Sequence, residues 1–307
     1  MQAQAPASGR PAATPGWRRM VEDALPRLVV APTFAAALLF IYGYIAWTAV
    51  LSFTTSRMLP SYHFGGLIQY ANLFDNARWS VALGNLLVFG VGFVVICLVV
   101  GLTLAILLDQ NIRAEGFIRS VYLYPMALSF IVTGTAWKWL LNPELGFEKV
   151  MHDFGFADFS FDWLINPDRA IYCVVIAGVW QSSGFVMALF LAGLRGIDDS
   201  IIKAARVDGA SLPTIYRRII LPSLWPTFFS CFMILAHIAI KSFDLVMALT
   251  GGGPGFASDV PATFMYAFAF TRNQIGMGAA SAMMMLMIVV AVIVPFLYSD
   301  LRGGRRG

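Results

Sequence analysis

RGIDDSIIKAARVDGASLPTIYRRIILP, residues 195–222, interrupts a chain that is otherwise oily. Of the 307 residues, 59% are hydrophobic and 12% are charged, against about a quarter charged in soluble domains. A stretch this polar between two long apolar blocks reads as a segment held outside a bilayer. Asp198 or Asp199 is placed to cap a helix, because a carboxylate accepts the free amides of a first turn. Asp199 and Lys203 stand four apart, acid first, the favourable order for a helical pair. Ile201, Ala204, Ala205 and Val207 are expected to share an apolar face. Gly209 ends this first helix. A second short helix follows over Leu212–Leu221, and Pro222 opens the next apolar block, since Pro suits a first turn. The stretch is therefore expected to be a helix–turn–helix joined directly to a membrane span.

Outward from it, six runs are long and apolar enough to cross hydrocarbon as helices. They lie near 28–52, 81–108, 119–141, 170–194, 222–247 and 274–298. Pro125 and Lys138 interrupt the third, which is tolerable where neighbouring helices satisfy the freed carbonyl. The first run is too long for the apolar part of a leader and has no small-residue cleavage pattern behind it. It reads as a retained span. Residues 1–27, rich in Ala, Pro and Arg, read as a disordered tail, and 299–307 as a basic tail. The body, 28–298, is all-α. Fourteen of the 21 Lys and Arg residues fall in the two tails, the loop near 109–119 and segment 195–221, and seven in the other loops. By the positive-inside rule the first set is cytoplasmic, with both termini inside.

Several function classes are excluded. The basic residues sit between apolar blocks, without the basic, aromatic-lined soluble face of a nucleic-acid binder. Cys97, Cys173 and Cys231 lie in apolar runs with no CxxC. His63, His152 and His237 form no HExxH, so no metal or disulfide framework is read. GGGPG, residues 251–255, lacks the Lys and hydroxyl residue of a phosphate cradle and reads as a tight external turn. Polar residues inside spans are costly and mark function. Asn85 begins the second span, and Trp180, Gln181, Ser182 and Ser183 sit mid-way along the fourth. His237, Lys241 and Asp244 are spaced to share one face. A pyranose offers polar edges and an apolar face, so these groups are the candidates for touching a sugar. The competing reading is that Ser, Gln and Asn bind neighbouring spans, and that Lys241 pairs with Asp244.

At fixed spacing, Ala204-Ala205, Gly209, Ile219 and Leu221-Pro222 resemble the EAA loop of bacterial ABC importer permeases. One departure is that Lys203 stands where the family has Glu. LYPMALSFIVTGTAWKWLLNPELG (123–146) and FDLVMALTGGGPG (243–255) resemble the sugar-permease branch, and 242–270 with GMGAASAMMMLMI (276–288) is most similar to glucose/mannose-type permeases. The resemblance implies a six-span permease with a cytoplasmic coupling loop, working with a second permease, two ATP-binding subunits and an external sugar-binding protein. Lys203, Ala204, Ala205, Asp208, Gly209, Ile219, Leu221 and Pro222 would couple to the ATPase. ATP and Mg would bind the partner, with no cofactor and no catalysis on this chain. The alternatives are a permease for an oligosaccharide or a glycerol-3-phosphate-like solute, or a stand-alone secondary transporter.

Overall fold

The computed structural model describes residues 16–110 and 112–303. Of the expected tails, 1–27 and 299–307, residues 1–15 and 304–307 lie outside the described residues, and 16–27, expected to be disordered, is helical. Two units are distinguished, one ending at Val50 and one beginning at Leu51. Helix α1 (Gly16–Ser52) makes up the first and reaches upstream of the span start expected at residue 28.

The second unit is built around two long helices. In chain order the short α2 (Ile68–Phe74) precedes them. Helix α3 (Ala77–Leu108) buries Trp79, Ala82, Leu86, Phe89, Phe93, Cys97, Gly101, Ala105 and Leu108, a stripe at helical three-and-four spacing. The third block, expected as one span over 119–141, is broken. Helix α4 (Glu115–Leu123) tightens into a 3₁₀ turn at Tyr124–Ala127 and stops at Leu128. Helix α5 (Phe130–Leu140) then leaves at 101° to it. Pro125, at the start of that turn, removes the rung that the Val121 carbonyl would accept, and the helical run ends three residues later. Ser129 restarts the helix by accepting the Val132 N–H at 3.3 Å.

After α6 (Phe147–Asp153) comes α7 (Ala170–Arg195), buried on most of its circumference. It forms the axis of the unit and packs along the stripe of α3. Small residues let the helices approach closely. A methyl group on Gly101 would meet the Val186 side chain, and one on Gly178 would press on the Phe93 ring.

Helix α8 (Asp199–Val207) and α9 (Leu212–Ile215) form the expected helix–turn–helix. Beyond α9 the chain runs through a π-turn (Tyr216–Ile220) and α10 (Leu221–Ser223), then bends by 59° into α11 (Trp225–Ile240). Pro222 therefore lies before the bend and does not open α11. That helix starts at Trp225 and ends at Ile240, short of the expected 247. Pro222 and Pro226 each withhold an N–H, and the π-turn and the bend are where the ladder gives way.

The last elements are α12 (Asp244–Leu249), α13 (Pro261–Tyr266) with a π-turn at Ala267–Thr271, and α14 (Ile275–Gly303). Helix α14 continues past residue 298, into the expected basic tail. Among the described residues four helices are long and apolar enough to span a membrane, or six where each bent pair makes one span. The fold is all-helical among the described residues, apart from a single bridge between Thr54 and Phe64.

Candidate functional site

The coupling loop divides into an inner and an outer surface. Asp198 is the cap of α8: its carboxylate accepts the Ser200 N–H at 2.8 Å, and this hydrogen bond holds its carboxyl below the usual value. That capping contribution is complete at neutral pH and fades only as pH falls through the lowered value. Asp199 and Lys203 pair at 3.8 Å, both well exposed, so the pair adds little. Ile202, Ala205, Ala210, Tyr216 and Ile219 pack on the core, and Ile215 and Ile220 are buried. The single apolar face expected for Ile201, Ala204, Ala205 and Val207 is thus divided. Ala205 turns inward, while Ile201, Ala204 and Val207 turn out. Val207 is 87% exposed, and Leu212 is 58% exposed on the other side of the turn.

Gly209 makes the turn at φ +79°, a region that side chains resist, with open space where a Cβ would stand. Lys203, Asp208 and Pro222 are exposed and Leu221 is half-buried. The outer surface is therefore rigidly backed, locally apolar, and free of bulk at Ala204 and Gly209.

At the same end, Arg195 at the close of α7 reaches Glu115 at 2.8 Å and Asp109 at 3.8 Å, and Arg119 reaches Glu115 at 3.7 Å. These contacts tie the ends of α3, α4 and α7 together beside the loop.

The opposite end of α3 carries a contact that sequence reading missed. Arg78 forms an ion pair with Asp259, which is 1% exposed, and its guanidinium lies 4.1 Å from the Phe256 ring centre. Asp259 also accepts the Thr263 hydroxyl at 2.8 Å. Asn85, a candidate pathway residue, donates its amide to the Ala257 carbonyl at 2.7 Å and the Asp259 carbonyl at 2.8 Å. These contacts staple the GGGPG loop to α3. Within the loop, Gly252 at φ +86° leaves room for Asp259, whose Oδ1 would lie 2.6 Å from any Cβ there.

The mid-span candidates lie at the break in the third block. Gln181 donates to the Leu128 carbonyl at 2.8 Å, supplying the partner that the broken helix lacks. Its Oε1 and the Thr133 hydroxyl are buried with no partner, an uncommon state for buried polar atoms. Trp180 is 41% exposed and meets Trp137 edge-to-face at 5.9 Å. Ser182 and Ser183 are buried. Because α11 ends at Ile240, His237, Lys241 and Asp244 do not lie along one helix face as their spacing suggests. Neither Lys241 nor Asp244 joins an ion pair among the described residues, so the expected mutual pair is absent. Both instead line a cavity with Phe130, Ser242 and Phe243 at the α11–α12 break. His237 is exposed. No cluster of metal-ligating side chains occurs among the described residues.

Replacing Gln181 with Leu leaves the part-buried Leu128 carbonyl without its donor. The expected cost is about 1–3 kcal/mol, read as a lower unfolding midpoint in detergent. Gln181→Glu, which removes the donor in its ionised form, should not rescue it.

The family of binding-protein-dependent transport system inner membrane components matches residues 97–302. This chain belongs to that family. It is similar to a probable ABC transporter permease protein of Pyrococcus horikoshii, 38% identical over 91% of this chain and 96% of the relative. A xylose/arabinose import permease protein of Haloferax volcanii is 40% identical over 86% of this chain and 84% of its own length. Among solved structures, a bacterial ABC transporter involved in import of the acidic polysaccharide alginate superposes with a TM-score of 0.81, at 19% identity, over 93% of this chain and 98% of that one. That likeness bears on the fold, which is the fold of ABC importer membrane subunits. The chain is accordingly an integral-membrane permease, and its broken third and fifth blocks belong to a helical transport fold.

Proposed function

We propose that this permease forms half of the translocation pathway for a monosaccharide of the glucose/mannose kind, driven by ATP hydrolysis on a separate subunit. One observation carries the coupling half of this reading. The 195–222 segment presents Lys203, Ala204, Val207 and Gly209 outward while Ile202, Ala205, Ile215 and Ile219 are anchored in the core. A rigid, low-bulk surface backed by the spans suits a docked protein, and its movement would pass into α11 through the 59° bend. The partners are then a second permease, two ATP-binding subunits and an exported sugar-binding protein. ATP and Mg lie on the ATP-binding subunits, and no cofactor binds this chain. The loop charges favour an inner-membrane placement with both termini cytoplasmic.

For the solute, the likeness to the Haloferax xylose/arabinose import permease supports the monosaccharide class. The candidates to touch it are the exposed Trp180 face, the buried Gln181, Ser182 and Ser183 that follow it on α7, and the Lys241 cavity. Asn85 and His237 are the remaining pathway candidates. Uptake of labelled glucose, mannose, xylose and maltose by cells carrying the whole transporter separates these solutes, and uptake of maltose alone would overturn the monosaccharide reading.

The coupling role is tested by Ala204→Trp. Residue 204 is exposed and helical, so bulk is added without backbone strain. The expected result is loss of co-purifying ATP-binding subunit and at least a tenfold fall in uptake, about 1.4 kcal/mol, with an unchanged melting profile. Gly209→Trp should do the same, with Gly209→Ala isolating the φ +79° strain. Full association and uptake in Ala204→Trp would sink the proposal.

A further inference from the structure

The outer face of the segment that leads into the bend is chemically distinct from the docking turn. Residues 212–223 form one amphipathic unit. Ile215 and Ile220 are buried beneath it, and Tyr216 and Ile219 pack on the same core. On its other side Thr214, Arg217 and Arg218, with Pro213, line a concave pocket. Two adjacent guanidinium groups repel one another, yet neither joins an ion pair among the described residues. The Thr214 hydroxyl lies 2.8 Å from the Ser211 hydroxyl and retains hydrogen-bonding capacity.

Position decides what this pocket meets. Trp225, the first residue of α11, is 69% exposed, and an exposed Trp at the end of a span marks the headgroup level. Arg218 precedes it by seven residues, with the 59° bend between them, and an arginine stem extends several ångströms toward a bilayer surface. The pocket therefore stands at the polar layer of the leaflet, where phosphate is the abundant anion.

We propose that Thr214, Arg217 and Arg218 bind the phosphate of an anionic phospholipid headgroup. Each guanidinium offers a planar donor fork that matches phosphate oxygens, and the Thr214 hydroxyl adds one more donor. A protein carboxylate would satisfy the same charge, but the neighbouring Trp and the buried inner face place the site against lipid. The proposal rests on the chain's membrane placement alone and holds whichever solute is carried.

Native mass spectrometry of the full-length chain in detergent tests it, with short-chain phosphatidylglycerol and phosphatidylcholine as probes. The wild type should retain phosphatidylglycerol preferentially. Arg217→Gln/Arg218→Gln should lower its affinity roughly thirtyfold, as expected for two cations at a membrane surface, while phosphatidylcholine retention is unchanged. Should that double variant fold poorly, Thr214→Val keeps both charges and is expected to weaken phosphatidylglycerol severalfold. Arg217→Lys/Arg218→Lys should retain most of the preference. Equal retention of both lipids by the wild type would overturn the site. So would an unaltered preference in both the Gln and the Val variants, or displacement of the lipid by equimolar inorganic phosphate.

Discussion

Asp259→Ala is expected to destabilise the protein by about 3–5 kcal/mol, because it strands a buried charge. Arg78 keeps only 14% of its side chain exposed, and its guanidinium is directed at Asp259 from beside the Phe256 ring. Without the carboxylate it has no anionic partner among the described residues, and the Thr263 hydroxyl keeps only the Val260 carbonyl as acceptor. The pair joins the start of α3 to the loop before α13, so its loss should free the GGGPG segment from α3. Replacing both partners together, as Arg78→Met/Asp259→Leu, should recover most of the loss, since an apolar pair leaves no uncompensated charge. Cys97, Cys173 and Cys231 are free and buried, so a thiol-reactive dye reports unfolding without any added label. The expected outcome is a large drop in the dye-detected midpoint for the single variant and a small one for the double. A single variant as stable as wild type would show that the ion pair is not what holds the loop.

Gly184→Ala is expected to damage the fold more than its one added methyl group suggests. Gly184 lies where α7 crosses the end of α4, and a Cβ there would overlap the Tyr122 carbonyl oxygen. Backbone blocks it, so no rotamer change relieves the clash. Overpacking of this kind costs about 1–3 kcal/mol or more. The displaced α4 would also draw Leu128 away from Gln181, whose amide holds the break. Gly84→Ala is the control: nothing lies within 4 Å of its Cβ position, and in a helix Ala is favoured over Gly by up to about 1 kcal/mol. The same dye assay and the yield of folded protein from membranes should separate the two. Equal behaviour of the two alanine variants would contradict the close crossing.

Much of the architecture is local, and local features could be read. Apolar length marks a span whatever surrounds it, so the six blocks were legible, as were the polar interruption at 195–222, its acidic cap, and the turn at Gly209. Binding of Asp198 to Ser200 and the positive φ of Gly209 depend on residues a few positions away. The bends were half legible. Pro125 announces a weakened ladder, but sequence spacing cannot say whether a helix tolerates a proline or turns by 101° beyond it.

That outcome depends on whether a distant group waits for the carbonyl left open at the break. Gln181, on another helix, supplies the hydrogen bond at Leu128. The same holds for Arg78 and Asp259, which are 181 positions apart. Read singly, one is a loop cation and the other a loop acid. The sequence alone therefore determined a membrane chain of six apolar blocks with one polar helix–turn–helix. Tertiary structure decided which polar groups are committed to holding breaks and loops, because a hydrogen bond or buried ion pair forms only when packing brings both partners together and removes the water that would otherwise serve each of them.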